Sequence, residues 1–408
     1  MIEPMIRFPE FKDSWINYKI EDIFDRVGTP VALDDTQTYR EIGIRSHGKG
    51  IFHKEETTVT EIGNKRVFWI EPDCFVVNIV FAWERAVAKT TEKEKGMIAS
   101  HRFPMYKPKK DIVDLDYITE YFITKRGQNV LILASPGGAG RNKTLGQKEF
   151  AKSVVKLPSL PERQKIAEFL STVDTVIAKQ KETVSAWEER KKGVMQKLFS
   201  QEVRFKADDG SDFPEWEEKS YLSICNVFAD GDWIESKDQS DSGIRLIQTG
   251  NIGNGIFIDK DDKKKYISKE TFDRLKCNEV FEGDILISRL PSPAGRACIV
   301  PKLNDRIITA VDCTIVRTDK SIISHDYCVQ FMQSSKHFYY VASMMAGGTR
   351  QRISRKNLED ELISVPCLEE QQKIADCLSA LDEVIEKQQA TLAAWEELKK
   401  GLQQQMFV

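Results

Sequence analysis

Two stretches of this chain carry apolar residues at alternating spacings of four and three, the pattern of a helix with one continuous apolar stripe. Eight of ten stripe positions are apolar in each stretch, and the exceptions, one glutamine and one lysine, fall at matching places. The first stripe is Ile166, Leu170, Val173, Ile177, Gln180, Val184, Trp187, Lys191, Val194 and Leu198. The second is Ile374, Leu378, Leu381, Ile385, Gln388, Leu392, Trp395, Lys399, Leu402 and Met406. The spacing predicts two coiled-coil helices of about 39 residues, roughly 58 Å each at 1.5 Å per residue.

Stripes of this length require an apolar partner, because burying one large apolar side chain is worth roughly 1.5–3 kcal/mol. The two stripes share a chain and a pattern, so we expect them to pack together as antiparallel helices. Gln180 and Gln388 then fall near the middle of the pair, where they either fix the register or face a wet gap. Trp187 and Trp395 lie on the stripes, which favours core or partner contacts over a role as ligand platforms.

The two stretches belong to an internal repeat. Residues 158–199 recur at 366–407, a shift of 208, and 24 of the 42 aligned residues are identical. A fainter repeat precedes each stretch at a shift of 205, where Phe8-Pro9-Glu10 matches Phe213-Pro214-Glu215 and Gly50-Ile51-Phe52 matches Gly255-Ile256-Phe257. Two copies are too few for a solenoid, so the repeat predicts pseudo-twofold symmetry.

The segments outside these helices predict sheet-containing globular bodies. Short apolar runs predict strands at 67–70, 75–80, 130–133, 245–248, 255–258, 284–288 and 297–300. Helices are predicted at 117–125, 326–335 and 336–344. We therefore expect an α/β (mixed α+β) fold in four segments: a first body at 1–156, a helix at 157–201, a second body at 202–364 and a helix at 365–408.

Composition narrows the class of protein. The net charge of −3 is not that of a small, uniformly basic DNA-binding module. Basic residues still gather at 107–110, 263–265 and 350–356, where they are either solvated surface or contacts for nucleic acid. The eight cysteines form no CxxC pair, which favours reduced thiols. No apolar run approaches the roughly 18 residues of a membrane span, and the first residues do not resemble a signal peptide, so we expect a cytoplasmic protein with no membrane partner.

The sequence contains none of the common catalytic motifs. It has no GxxxxGK[ST] phosphate loop, and residues 137–140, Gly-Gly-Ala-Gly, lack the context of a dinucleotide site and predict a flexible loop. It has no Asn-Pro-Pro-Tyr or Asp-Pro-Pro-Tyr segment of an amino-methyltransferase. Pro72-Asp73 is followed by no Asp-x-Lys or Glu-x-Lys of a nuclease within the first body, and the five histidines form no metal-binding pattern. We expect a protein that is not an enzyme and that binds no metal or cofactor of its own.

Several segments carry a family resemblance. The helices open on LPSLPERQKIA at 157–167 and VPCLEEQQKIA at 365–375, while the second body contains FPEW at 213–216, EGDILISR at 282–289 and GGTRQRIS at 347–354. In order, these are similar to the helix-entry motif PxLxEQxKIA, the domain opening, the central strand and the closing loop of type I restriction-modification specificity subunits. The resemblance covers essentially the whole chain. The first half departs from it, with FVVN at 75–78, GRNKTL at 140–145 and Glu162-Arg163-Gln164 in place of Glu-Gln.

The resemblance implies a role in reading double-stranded DNA. Each body would be a target recognition domain over one half-site, and the helices would set the spacing of the half-sites. It also implies two modification subunits, docked on the helices, that carry S-adenosylmethionine and methylate adenine. Two motor-nuclease restriction subunits, using ATP and magnesium, would join them for cleavage.

Candidate DNA contacts are side chains that recognise base edges, such as Arg or Lys on guanine and Asn or Gln on adenine, together with residues next to them. In the first body they are Arg45, His47, Lys49, Arg141, Asn142 and Lys143. In the second they are Gln248, Thr249, Asn251, Arg289, Arg296, Arg350, Gln351 and Arg352. Two alternatives stay open: an adaptor protein, whose affinity would hardly change with salt, and a self-sufficient nuclease or methyltransferase, which would act alone.

Overall fold

The computed structural model describes residues 4–109, 112–137, 143–260, 263–348 and 351–407. The chain divides into two compact units. The first unit consists of Met1–Lys181 and Ala390–Val408, and the second of Glu182–Gln389. Each unit thus contains one globular body, part of the helix that follows this body and part of the other long helix. The predicted mixed α/β fold is confirmed.

The first body contains eleven strands and five helices among the described residues. Its strands are β1 (Ile16–Lys19), β2 (Phe24–Val27), β3 (Thr29–Pro30), β4 (Tyr39–Ile44), β5 (Ile51–Thr57), β6 (Val67–Trp69), β7 (Phe75–Val77), β8 (Val87–Lys89), β9 (Ile98–Ser100), β10 (Met105–Pro108) and β11 (Val154–Leu157). Its helices are α1 (Ile20–Ile23), α2 (Val59–Ile62), α3 (Leu115–Ile123), α4 (Lys125–Leu133) and α5 (Gln147–Lys152). The long helix α6 (Leu160–Phe199) follows.

The second body has the same number of strands among its described residues. They are β12 (Glu217–Ser220), β13 (Cys225–Asp230), β14 (Gln239–Ser240), β15 (Ile244–Ile247), β16 (Tyr266–Ile267), β17 (Glu279–Val280), β18 (Ile285–Ser288), β19 (Ala297–Ile299), β20 (Ile307–Thr309), β21 (Cys313–Thr318) and β22 (Leu362–Val365). Its helices are α7 (Lys269–Leu275), α8 (His325–Met332), α9 (Ser335–Met344) and α10 (Arg355–Glu359). The long helix α11 (Leu368–Met406) follows.

The internal repeat extends to the sheet topology. In the first body the sheets are β1-β11, β2-β10-β7-β8 and β3-β6-β9-β4-β5, and in the second they are β12-β22, β13-β21-β18-β19 and β14-β16-β15-β20-β17. Each five-stranded sheet contains one parallel pair, β4 with β9 and β15 with β20, whereas its other pairs are antiparallel. The two bodies therefore share the two- and four-stranded sheets and four strands of the five-stranded sheet. They differ in its remaining edge strand, because β3 pairs with β6 whereas β14 pairs with β16.

The ends of both long helices lie in the cores of the bodies. In the first unit, Ile166 and Leu170 near the start of α6 share a core with Met406 and Phe407 at the end of α11. In the second unit, Leu198 and Phe199 at the end of α6 share a core with Ile374 and Leu378 near the start of α11. Within each unit the beginning of one helix therefore packs with the end of the other, which confirms the antiparallel prediction. The stripe residues Val173, Ile177, Val184 and Ile385 are also buried.

The polar positions of the stripes have different environments. In the first unit Lys399 Nζ contacts Asp174 Oδ2 at 2.7 Å, and in the second Lys191 Nζ contacts Asp382 Oδ1 at 2.7 Å. Since both lysines and both aspartates are related by the shift of 208, the two units repeat one ion pair. Gln180 and Gln388 are half-buried and have interaction partners, so both interpretations of these residues stay open. The stripe residues Leu381, Leu392, Trp187 and Trp395 are half-buried.

Two strand predictions are wrong, and a third is too long. Residues 130–133 form the end of helix α4, where Leu131 is buried while Leu133 is 81% exposed, because a short apolar run cannot distinguish one face of a helix from a strand. Residues 255–258 form a turn in which Gly253 N–H donates to Ile256 O at 2.9 Å and Ile256 is 53% exposed. The predicted strand at 75–80 ends at Val77. The other predicted strands and helices of the bodies are present within one to three residues of their predicted bounds.

Candidate nucleic-acid interface

Three of the predicted contact residues of the first body lie together on one turn. Arg45, His47 and Lys49 are exposed in the connection between β4 and β5. His47 and Gly48 both have left-handed backbones, with φ of 63° and 68°. The backbone N–H of His47 donates to Glu84 O at 2.7 Å, and that of Gly48 donates to Arg85 O at 2.9 Å. Backbone hydrogen bonds thus hold this turn, and its basic side chains extend from the surface.

The charges on this turn are arranged by neighbouring groups. The Arg45 guanidinium lies 4.8 Å from the centre of the Phe52 ring and donates to Ile51 O at 3.3 Å. Arg85 Nη2 lies 3.5 Å from His47 Nδ1, and Arg85 Nη1 donates to Ile123 O at 3.1 Å. Arg85 was missed by the sequence analysis because it is 38 residues from His47 and belongs to no basic run. It adds a cation to the predicted group.

Some predicted contacts lie at or beyond the borders of the described residues. Arg141, Asn142 and Arg350 lie outside them, as does most of the glycine-rich segment 137–140. Lys143 is half-buried at the edge of this gap. Gln351 and Arg352 are exposed, and Arg352 forms two backbone hydrogen bonds with Ala346, at 2.9 and 3.1 Å. These six residues stay predictions as DNA contacts.

In the second body, the predicted residues Gln248, Thr249 and Asn251 line a cavity of about 310 Å³. Its other lining residues are mainly cationic: Arg245, Lys260, Lys263, Lys264 and Lys265, together with Leu246 and Gly250. Arg245 makes an ion pair with Asp259, whose pKa is lowered by this hydrogen bond. Asp261 and Asp262, which complete the loop in the sequence, lie outside the described residues. The sequence indicated the run 263–265, but it gave no sign that Lys260 and Arg245 share its cavity.

Asn251 shapes the loop that carries the other two residues. Its side chain is buried, Oδ1 accepts from Gln248 N–H at 3.1 Å, and Nδ2 donates to Ile258 O at 2.9 Å. Gln248 and Thr249 are half-buried at the cavity. The loop therefore presents Gln248 and Thr249 at its surface, while Asn251 is occupied in holding its conformation.

Arg289 and Arg296 are engaged inside the second body. The Arg296 guanidinium donates to four carbonyl oxygens, those of Ile252 and Pro293 at 2.7 Å and those of Leu290 and Thr249 at 2.8 Å. The Arg289 side chain is 7% exposed, donates to Val311 O and lies 3.4 Å from Asp230 Oδ1. A role as base readers stays a prediction for both arginines, and this geometry does not favour it.

Among the described residues, no group of three His, Cys, Asp or Glu side chains is arranged to hold a metal ion. No helix in that part of the chain is long and apolar enough to cross a membrane. All eight cysteines are free thiols. Burial raises the pKa of the Cys298 thiol to about 12 and that of the Cys313 thiol to about 11.

A family model described as the type I restriction modification DNA specificity domain matches residues 13–185 and again 214–394. The chain belongs to this family. Each match covers most of one body and the greater part of the long helix after it, which is the repeat unit that the sequence indicated. The resemblance to type I specificity subunits is thereby confirmed.

Relatives extend the match over most of the chain. The type I restriction enzyme MjaVIII specificity subunit of Methanocaldococcus jannaschii is 23% identical over 356 residues, 84% of this chain and 80% of the relative. The putative type I restriction enzyme MjaX specificity subunit of the same organism is 22% identical over 398 residues, 93% and 86% of the two chains.

Solved structures share the fold at low sequence identity. A chain from a structural study of complex assembly and conformational transition of the type I R-M system is 15% identical, with a TM-score of 0.58 and 98% of both chains covered. The type I restriction-modification system S subunit from M. genitalium is 14% identical, with a TM-score of 0.53, and 100% and 99% of the two chains are covered. The architecture of this specificity-family member is therefore shared across wide sequence divergence.

Proposed function

We propose that this chain is the DNA-reading subunit of a type I restriction-modification complex, that it recognises a bipartite target, and that it catalyses no reaction itself. The observation that carries the proposal is the repeated architecture with different polar residues at the surface of each copy. The first body presents a basic turn with Arg45, His47 and Lys49, whereas the second presents Gln248 and Thr249 beside a lysine-rich cavity. Two copies that differ in this way suit two half-sites of different sequence.

The side chains match the chemistry of duplex recognition. Arg and Lys bind guanine edges, and Gln binds adenine edges through two hydrogen bonds. Lysines near these residues suit phosphate contacts, which add affinity without sequence information. The long helices α6 and α11, each roughly 60 Å at 1.5 Å per residue, are suited to set the spacing between the half-sites.

The proposal includes partner subunits, because DNA methylation and cleavage need catalytic groups that this chain is not proposed to provide. Two modification subunits would dock on the long helices and hold S-adenosylmethionine for adenine methylation. Two restriction subunits would use ATP and magnesium as motor and nuclease. The assembly would act on DNA in the cytoplasm.

A base-resolution methylation map of the host genome, with this gene intact and deleted, tests the proposal. We expect deletion to remove one bipartite adenine-methylated motif and complementation with the wild-type gene to restore it. Survival of every methylated motif after deletion would overturn the proposal.

Complementation with single variants then tests the assignment of half-sites. Arg45→Ala in the first body and Gln248→Ala in the second should each relax recognition in one half of the motif, and in different halves. Each true base contact contributes about 1–3 kcal/mol of discrimination. Relaxation of the same half by both variants would contradict one half-site per body.

A further inference from the structure

The connection between β18 and β19, residues 289–296, is the point where three surface segments of the second body meet. Arg296 binds the segment at 249–252 through Thr249 O and Ile252 O. Arg289 binds the segment at 311–312, because its side chain donates to Val311 O and its backbone N–H donates to Asp312 O at 2.9 Å. The carbonyl of Arg289 accepts from Ile353 N–H at 3.2 Å, which adds the segment that follows Gln351 and Arg352.

These contacts join residues that are far apart in the sequence. The contacting residues are 22 to 64 positions apart in the sequence, and two of the segments include or adjoin predicted DNA contacts: Gln248 and Thr249 in one case, Gln351 and Arg352 in the other. Asp312 also lies 3.8 Å from the Arg352 guanidinium, so the third segment contacts the second directly. The connection therefore determines where the polar side chains of these segments lie.

We propose that Arg296 and Arg289 are positioning residues for sequence recognition, and that they hold the reading segments rather than read bases themselves. This inference rests on the proposed function. For Arg296 the geometry is specific, since one planar guanidinium reaches four carbonyl oxygens, two in the segment at 249–252 and two in the connection itself, at 290 and 293. An ammonium group has only three donors on a flexible stem and cannot reproduce this arrangement.

A buried side-chain pair fixes the connection from its other side. His337, which is fully buried in α9, lies 2.9 Å from Gly295 O through Nε2 and 2.9 Å from the Glu361 carboxylate through Nδ1. Gly295 has a left-handed backbone, with φ of 84°, and a Cβ there would lie 2.9 Å from His337 Nε2. Gly295, which precedes Arg296, is therefore anchored in the core, and this holds the Arg296 side chain in place.

The first body has no arginine at the position equivalent to Arg296. The register of β18 with β19 and of β7 with β8 places Ala86 at the position of Arg296. There the turn with Arg45, His47 and Lys49 is held by backbone hydrogen bonds to Glu84 O and Arg85 O. The predicted dependence on a guanidinium is thus confined to the second half-site, which gives the test an internal reference.

The test compares Arg296→Lys with Gln248→Ala and with the double variant, each complementing the gene deletion. The readout is methylation at genomic sites that differ from the motif by one base. We expect Arg296→Lys to raise methylation about tenfold at the second half-site positions that Gln248→Ala also relaxes, with the first half-site unchanged. Two changes that act through one contact are non-additive, so the double variant should relax these positions no further.

Arg306→Lys is the matched control, because Arg306 makes a bidentate surface pair with Glu279 in the same body. It should leave the motif unchanged. In the purified full-length protein, hydrogen exchange at the amides of Asn251 and Ile252 should become faster in Arg296→Lys and not in Arg306→Lys. This second measurement reports on the loop even if methylation is lost.

Other outcomes would overturn the inference. If Arg296→Lys relaxes a different position and adds to the effect of Gln248→Ala, Arg296 is itself a base reader. If it leaves the motif and the amide exchange unchanged, it has no positioning role. Both results would leave the proposed function intact, whereas persistence of every methylated motif on gene deletion would remove the proposed function as well.

Discussion

The substitution Glu370→Gln tests how the second body is attached to the start of α11. The Glu370 side chain is fully buried and accepts three hydrogen bonds: from Arg204 Nε at 3.1 Å, from Arg204 Nη2 at 2.9 Å and from Trp216 Nε1 at 2.9 Å. Glutamine keeps the shape but loses the charge, and its NH2 group faces one of these donors. Arg204, with its side chain 21% exposed, then lies beside a neutral amide.

The magnitude follows from the burial of the pair. Removing one partner of a buried ion pair costs about 3–5 kcal/mol, and the partial exposure of Arg204 puts this case near 3 kcal/mol. For a unit of this size, each kcal/mol lowers the midpoint of thermal unfolding by about 2–4 °C, so the expected decrease is about 6–12 °C. Hydrogen exchange should also become faster at the start of α11.

The chain provides its own references. Glu162→Gln in the first unit should have a similar effect at the start of α6, because Glu162 is also fully buried and accepts from Arg7 at 2.7 and 2.9 Å. Glu369→Gln, at an exposed neighbouring position, should change the midpoint by less than about 2 °C. If Glu370→Gln is no more destabilising than Glu369→Gln, the attribution of stability to this pair is wrong.

Two further predictions concern Lys191 in the long helix α6 and Glu361, the carboxylate beside the buried His337. Lys191→Met should lower the free energy of unfolding in urea by about 1–2 kcal/mol, because the Lys191 side chain is only 10% exposed and contacts Asp382 at 2.7 Å and Gln333 at 2.9 Å. Lys192→Met should change this free energy by under about 0.5 kcal/mol, because Lys192 forms an exposed pair with Glu189. Equal effects of the two substitutions would contradict the stabilising role of Lys191. Burial raises the pKa of Glu361 from its ordinary value, so its contribution to stability is present at low pH and lost as pH rises through the raised pKa. Glu361→Gln should therefore gain in unfolding free energy relative to the wild type as pH increases above 4.5, and a constant difference would contradict this assignment.

The long helices could be predicted because their signal is periodic, repeated and more than four heptads long. The positions of the entry motifs were also predictable, but their physical basis required the structure. In the second unit, Gln371 Nε2 donates to Pro366 O at 2.8 Å and to Ile322 O at 2.9 Å. In the first, the guanidinium of Arg163 donates to Pro158 O and Ile112 O, the equivalent carbonyls. Arg163, which stands where the family motif has glutamine, thus donates to the same two carbonyl positions as Gln371.

The candidate site was less predictable, because the role of a basic residue depends on groups far away in the sequence. Arg289 and Arg296 stand in a recognisable family segment, yet their guanidinium groups bind carbonyls 22 to 47 residues away. Lys260 and Arg85, by contrast, belong to no motif and lie beside predicted contact residues. Charge alone does not distinguish a side chain that contacts solvent from one that holds a loop, since both are favourable for arginine.

The repeat also indicates which parts of the chain are free to diverge. Asp174 and Lys399 recur as Asp382 and Lys191, and each pair lies within its own compact unit. A lysine on an apolar stripe is costly unless a carboxylate accepts from it, so the lysine and the aspartate have to be retained together. The β4–β5 turn and the loop after β15 are supported differently. Their backbone carbonyl partners accept from backbone N–H groups in the first body and from the side chains of Arg296 and Asn251 in the second. The other side chains of these segments can change without loss of these hydrogen bonds, as the proposed recognition of two different half-sites requires.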